Sequence, residues 1–191
     1  TAAIKEDLGG GDDVTSVATI PVEQRAIADY VARKSGVIAG LHIAAAVLET
    51  CGIHEYEIKV EEGEWVEPGT VILEAHGRTR ELLLSERTAL NFLGRLSGIA
   101  TLTRQWVDEI KEFPAQIRDT RKTTPLWREL EKFAVRAGGG TNHRISLSDA
   151  ALIKDNHIVA AGGVVAAFDA VRKKYPDLKV EVEVDHLEQL Q

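Results

Sequence analysis

A chain of 191 residues, 44% hydrophobic and 28% charged, has the balance of an ordinary globular protein of one or two domains, which excludes a disordered or fibrous chain. Its formal net charge of −7 excludes a general nucleic-acid binder, which needs surplus Lys and Arg to displace counterions from phosphate, so an anionic ligand must be met by local clustering of positive charge. Cys51 is the single cysteine; it excludes an intrachain disulfide, leaves a cysteine-based zinc site short of ligands, and suits a reducing cytoplasm.

The chain opens on Thr1 and not Met, with no basic-then-apolar leader, so a trimmed or incomplete start is expected. Residues 27–33 (IADYVAR) alternate apolar and other residues as a half-buried strand does, and a turn follows at 34–36. The most apolar stretch, 37–48, is interrupted by His42 and falls far short of the roughly 20 residues that cross a bilayer, so it predicts a buried helix from about 41 to 49 and no membrane partner. A strand at 56–60, a polar turn at 61–63, Trp65-Val66, the Pro68-Gly69 turn and a strand at 71–75 ending at Gly77 predict a compact β layer with a hairpin. That hairpin has the outline of the swinging-arm modules that carry biotin or lipoate, but Glu67-Pro68-Gly69 stand at the tip where the modified lysine would be.

Residues 85–111 read as a long helix, with Ser85 as N-cap, Glu86 just inside, apolar positions at Leu90, Leu93, Leu96, Trp106, Val107 and Ile110, and a bend or division at Gly98. After Pro114 the pattern changes to strand-like runs at 115–119, 151–154 and 179–184, with a helix at 164–174 and the first turns of another at 185–191. Strands that alternate with helices indicate βα units and a parallel sheet. A closed βα barrel takes about 250 residues and eight strands, so the second domain reads as an incomplete barrel and the chain as a fragment. The expected fold class is therefore α/β, with an N-terminal domain over residues 1–112 and the first part of a barrel over 113–191.

Between residues 118 and 144 stand Arg118, Arg121, Lys122, Arg128, Lys132, Arg136, His143 and Arg144 against only Asp119, Glu129 and Glu131, a reversal of sign in an acidic protein. Arg121-Lys122 and His143-Arg144 fall just after a predicted strand and in a loop, where the mouth of a barrel gathers its active site. Arginine's planar fork matches a carboxylate or phosphate, lysine supplies a mobile point charge, and the two together suit a ligand with several anionic groups. Arg128, Lys132 and Arg136, spaced four apart, read as a solvated helix face and are left out of the site. Arg121 and Lys122, flanked by Thr120, Thr123 and Thr124, have no such explanation. Gly138-Gly139-Gly140 reads either as an anion-cradling loop or as a flexible turn, and no Walker-type sequence follows it. Lys154-Asp155-Asn156-His157 ends another predicted strand, and Glu181 and Glu183 share one face of the next. Such carboxylates can hold Mg²⁺ or bond sugar hydroxyls, while Glu181 can equally pair with a basic neighbour.

Taken in order, EDLGGGDDVTS (6–16), GVIAGL (36–41), the hairpin, SERTALNFLGRLSGIAT (85–101), RDTRKTTP (118–125), GGGTNHR (138–144), LIKDNH (152–157) and EVEV (181–184) make the chain similar to quinolinate phosphoribosyltransferases over nearly its whole length. The resemblance implies an N-terminal open α/β sandwich, an irregular α/β barrel, and a cytoplasmic homodimer in which one subunit's N-terminal domain covers the other's barrel. It implies transfer of a phosphoribosyl group to quinolinate from phosphoribosyl pyrophosphate with Mg²⁺, giving nicotinate mononucleotide, pyrophosphate and CO₂. By the same resemblance Arg87 reaches in from the neighbouring subunit. Arg121, Lys122, Thr123, His143, Arg144, Lys154 and Glu183 bind the substrates, Lys122, Lys154 and Glu183 act in the chemistry, and Glu183 steadies either the ribose hydroxyls or, through the sugar phosphate, the magnesium, with no residue assigned as a metal ligand. The family usually has Gly after T-P, where this sequence has Leu126, and a differently shaped loop is expected there. The family's later aspartate and 5′-phosphate-binding stretches would fall beyond Gln191. A phosphoribosyltransferase-like protein associated with molybdate transport shares much of the pattern, and a biotinyl- or lipoyl-type module is the reading from another class.

Overall fold

The computed structural model describes residues 1–190 and divides the chain into two units. Thr1–Asp119 and Thr123–Asn142 make the first; Thr120–Lys122 and the chain from His143 onward make the second.

The first unit begins with two short helices, α1 (Ala2–Leu8) and α2 (Val14–Thr19), the latter capped by the Asp13 carboxylate, which accepts a hydrogen bond from Ser16 N at 3.1 Å. Strands β1 (Arg25–Val31), β3 (Glu55–Ile58) and β5 (Val71–Arg78) form an antiparallel sheet in the order β1-β5-β3. Because strand side chains alternate, the register Tyr30↔Leu73↔Ile58 and Ala28↔Ala75↔Tyr56 gathers an apolar face, while Asp29, Glu57 and Glu74 share the other. Helix α3 (Leu41–Thr50) contributes Leu41, Ala44, Val47 and Leu48 to the same core as Leu73 and Ala75. Helix α4 (Thr79–Glu109) closes it through Leu82, Ala89 and Leu93, and then runs on to a second cluster with Leu96 and Ala100. Its buried positions 82, 85, 88, 89, 93, 96, 100 and 103 follow the three-and-four spacing of one helix face. Val37 of the short strand β2 (Gly36–Val37) and Ala134 of α5 (Arg128–Ala137) complete the second cluster.

Helix α5 ends against α4 at a contact that admits no side chain. A Cβ on Gly138 would lie 2.3 Å from the Ala100 carbonyl oxygen, and one on Gly140 would lie 2.9 Å from Thr103 Cγ2. Close packing therefore accounts for two of the three consecutive glycines, and Gly139, at φ +92°, makes the turn that leaves the helix.

Several predicted elements differ from the observed ones. Helix α4 starts six residues before Ser85, directly out of β5, and Ser85 is fully buried inside it with its hydroxyl donating to the Leu82 carbonyl at 2.8 Å. The early start is anchored by Arg80, whose guanidinium donates to the carbonyls of Ile20 (2.8 Å) and Val17 (3.1 Å). The helix continues through Gly98, since the surrounding turns keep their apolar face on the core. The expected hairpin is not one: β4 (Trp65–Val66) pairs with β2, whereas β5 pairs with β1 and β3. Residues 115–119 do not form a strand but hold a single parallel bridge, Arg118↔Thr141. Lys132, read as part of a solvated face, is only 1% exposed, because its ammonium pairs with the buried carboxylate of Asp119.

In the second unit, β6 (Ala151–Ile153) and β7 (Val180–Val182) pair in parallel, joined by α6 (Asp155–Ala161) and α7 (Val164–Lys174), with a 3₁₀ turn at Leu187–Leu190. This is the βα pattern expected after Pro114, and the chain is of the α/β class; no closed barrel is formed among the described residues. No helix among the described residues is long and apolar enough to cross a membrane.

Candidate active site

Parallel pairing of β6 with β7 sets the geometry of the second unit. Ile153 lies opposite Val182, and the ladder extends one step further, with Glu183 N donating to the Ile153 carbonyl at 2.9 Å. Glu181 and Glu183 flank Val182 and so project to the same side of the strand. Lys154, the next residue after β6, places its ammonium 2.9 Å from Glu183 Oε1. His143 Nε2 lies 3.0 Å from Glu181 Oε2, so a proton on that nitrogen is donated to the carboxylate. His157, expected at a strand end, lies instead in the first turn of α6, where its Nδ1 accepts from Lys154 N at 3.0 Å.

Two arginines of the same unit are left unsatisfied. The Nε atoms of Arg121 and Arg144 are buried and have no hydrogen-bond partner among the described residues, although Arg144 Nη1 donates to the Ala150 carbonyl at 2.7 Å. A buried charged donor without an acceptor is costly, and a carboxylate or phosphate is the group whose geometry meets a guanidinium fork. Lys122 is exposed, its backbone N donating to Thr120 Oγ1 at 3.0 Å. Just beyond Arg144 the loop is fastened by Asp149, whose carboxyl is held below its ordinary value by the Ser146 hydroxyl first, and then by the amides of Ser146 and Ile145.

Direct bonds thus bring together His143 with Glu181 and Lys154 with Glu183, and Arg121, Lys122 and Arg144 belong to the same unit. Arg87 and Thr123 belong to the first unit. Arg87 lies exposed on α4 and makes no ion pair among the described residues; Thr123 Oγ1 accepts from Arg128 Nε at 3.1 Å.

A second set of charged residues, which the sequence pattern had not singled out, lines α5. Lys132 pairs with Asp119, and Asn142 Nδ2 donates both to Asp119 Oδ2 (2.5 Å) and to the Lys132 carbonyl (3.0 Å). Glu131, 8% exposed, accepts from the Arg95 guanidinium and from Thr124 N at 3.2 Å. Burial pushes the Glu131 carboxyl up, but the bonds from Arg95 and Thr124 outweigh that and leave it below its ordinary value. Pairs such as Asp119 and Lys132, thirteen residues apart on different elements, leave no mark in local spacing.

The chain matches the N-terminal domain family of quinolinate phosphoribosyl transferase over residues 13–97 and the C-terminal domain family over residues 99–191. It is 49% identical to the nicotinate-nucleotide pyrophosphorylase [carboxylating] of Mycobacterium leprae, covering 98% of this chain and 67% of that protein. Against the chloroplastic protein of that name from Arabidopsis thaliana the identity is 40%, covering 98% of this chain and 55% of that one. Among solved structures, NadC from Streptococcus pyogenes superposes with a TM-score of 0.93 at 40% identity, over 98% of this chain and 67% of that chain. The chain spans about half to two thirds of the length of the curated relatives it matches.

Proposed function

The chain belongs to the quinolinate phosphoribosyltransferase family, and from that premise we propose that it serves the carboxylating synthesis of nicotinate mononucleotide from quinolinate and phosphoribosyl pyrophosphate, in the cytoplasm and as a homodimer. The observation that carries the reading is the pair of buried, unpartnered guanidinium Nε atoms, Arg121 and Arg144, in the unit where His143, Lys154, Glu181 and Glu183 are already joined.

Quinolinate carries two carboxylates. Arg121 and Arg144, with His143 and the Arg87 of a second subunit, grip them so that the ring nitrogen faces the anomeric carbon of the sugar. That nitrogen forms the new bond to carbon as the bond from carbon to the pyrophosphate oxygen breaks, the electron pair leaving with pyrophosphate. Negative charge then builds on the leaving group, where Lys122 and Lys154 stabilise it. The coupled ring nitrogen is cationic and its charge stabilises the electron pair left on the adjacent ring carbon as the carboxylate departs as CO₂; that carbon then takes a proton from solvent, so the step needs no separate base.

The described residues contain no cluster of three metal-binding side chains. The carboxylates of Glu181 and Glu183, on one side of β7, are a donor set that suits Mg²⁺ arriving on the polyphosphate, since this ion takes one or two carboxylates beside substrate phosphates and waters. Glu183 is the carboxylate for it, and when bound the ion supplies charge neutralisation on the departing pyrophosphate. By the family resemblance Thr123, whose hydroxyl accepts from Arg128, adds a polar contact to the substrate.

The test is release of CO₂ from carboxyl-labelled quinolinate by the full-length protein. Release that requires both phosphoribosyl pyrophosphate and magnesium is the expected result; release independent of either, or none, rejects the reading. Sharing of the site between subunits is tested by mixing inactive Arg87→Ala and Glu183→Ala proteins, which should recover part of the activity through hybrid dimers, whereas absence of recovery in a mixture shown to exchange subunits rejects it.

A further inference from the structure

Residues 120–122 leave the first unit for the second and return at Thr123, and the chain leaves again after Asn142. Every one of these departure points is bonded to the same helix. Asp119, the last residue before the first excursion, is paired with Lys132, and its backbone N donates to the Thr141 carbonyl at 3.1 Å. At the return, Thr123 Oγ1 accepts from Arg128 and Thr124 N donates to Glu131, while Thr124 Oγ1 accepts from Arg95 Nη2 at 2.6 Å. At the second departure, Asn142 is held by Asp119 and by the Lys132 carbonyl, and it accepts a bond from Arg136. The start of the helix is itself fixed, because Trp127 stacks on Phe92 with ring centroids 4.9 Å apart and the Arg95 guanidinium lies 5.9 Å over its ring.

Burial argues that these bonds do more than decorate a surface. Lys132 is 1% and the Asp119 side chain 8% exposed, so the pair carries a desolvation penalty that two apolar residues in the same space would avoid. What the pair provides and apolar packing does not is a fixed distance and direction between two specified points of the chain.

We propose that α5 is a positioning helix, whose Lys132–Asp119–Asn142 and Glu131–Thr124–Arg95 bonds set where Arg121-Lys122 and His143-Arg144 begin and so hold the spacing of the cations that receive the doubly anionic acceptor. The inference rests on the functional reading above for the identity of that acceptor, and on the geometry of the first unit alone for the clamp. Lys132 and Glu131 touch no substrate in this scheme; they act through the residues they hold.

The decisive variant is the apolar pair Asp119→Leu with Lys132→Met, because Lys132→Met alone strands a buried carboxylate and destabilises the fold. The double variant should melt within about 3 °C of the parent, as exchange of a buried ion pair for apolar residues usually costs little. Amide hydrogen exchange at 120–124 and 142–145 should nonetheless quicken at least about tenfold while the interior of α5 is unchanged. In the full-length protein the KM for quinolinate should rise at least about tenfold with a smaller change in kcat, a split that general destabilisation does not produce. Glu131→Ala should quicken exchange at 123–124, and Glu131→Gln, which keeps an acceptor for Thr124 N, should restore most of it. Unchanged exchange in both segments, or quickened exchange with an unchanged KM, overturns the proposal. Quickened exchange in a protein whose parent transfers no phosphoribosyl group overturns the functional reading and upholds the clamp.

Discussion

The two units are held by different means. The first has two apolar clusters, one with Leu41, Leu48, Ile53 and Leu73 and one with Leu96, all buried to within 1%. In the second, Ile153 and Ala167 are the buried hydrophobic residues among those described, while Val159 and Val165 are 81% and 72% exposed. Its side-chain bonds instead converge on carboxylates: His143 to Glu181, Lys154 to Glu183, and the amides of Ile145 and Ser146 to Asp149. Burial of apolar area stabilises whatever surrounds it, whereas charged pairs stabilise little at a surface but fix direction. Among the described residues, apolar burial is the main contribution in the first unit, and bonds to charged side chains are the more prominent feature of the second.

The largest effects should therefore divide between the units by kind. In the first, Leu73→Ala removes a fully buried side chain from the middle of β5, between Tyr30 and Ile58, and should lower the free energy of unfolding by about 3 kcal/mol in denaturant titration. Val159→Ala in the second unit, truncating a side chain that faces solvent, should change it by less than about 0.5 kcal/mol. Equal losses at the two positions would erase the contrast. Arg121→Ala should do the reverse of Leu73→Ala. It deletes a guanidinium whose Nε has no partner, so the melting temperature should hold or rise, while kcat/KM for quinolinate should fall at least about a hundredfold, or about 2.7 kcal/mol. Near-normal kinetics would remove Arg121 from the site.

Legibility in the sequence divides along the same line. Elements whose evidence is periodic were readable: α3, α7 and β7 lie where alternation or helical spacing puts them, and the long helix was recognised from its apolar stripe. What failed were matters decided at a distance. Ser85 has the chemistry of a cap, but six residues upstream Arg80 finds the carbonyls of Ile20 and Val17 and the helix begins earlier. Trp65-Val66 and the strand after Pro68-Gly69 look like a hairpin locally, yet β4 finds β2 and β5 finds β1, pairings set by tertiary packing. Of the candidate site, the residue types at Arg121, His143, Arg144 and Lys154 were legible because cations are conspicuous in an acidic chain. The bonds made by α5 were not, because a lysine spaced for a solvated face and a buried lysine with a distant aspartate have the same local sequence.

Acid should expose a further contrast within the charged groups. The Glu131 carboxyl titrates below its ordinary value of 4.5 in the folded chain, so its contribution is complete above that pH and is lost as pH falls through the lower, folded-state value. Thermal unfolding followed downward from pH 6 should therefore show a loss of stability below 4.5 that Glu131→Gln reduces, since the amide does not titrate. The same slope in both proteins would show that the bonds from Arg95 and Thr124 do not favour the ionised form.

The smallest effect concerns the loop between the site and α5. Leu126 has φ 69°, the only non-glycine residue at positive φ among those described, and its side chain is fully exposed. An L residue there is strained by about 1–2 kcal/mol, through the approach of Cβ to the following carbonyl. Glycine escapes that strain but gives back about 0.5–1 kcal/mol because it frees the unfolded chain. Leu126→Gly should then stabilise the protein by about 0.5 kcal/mol, raising the melting temperature by about 1–2 °C. Leu126→Ala is the control that separates causes: it removes the exposed apolar side chain but keeps the Cβ, so it should leave the melting temperature where it was. If alanine stabilises as much as glycine, the gain comes from the lost leucine side chain and not from the backbone; if glycine destabilises, the left-handed turn at 126 is not where the strain of this loop resides.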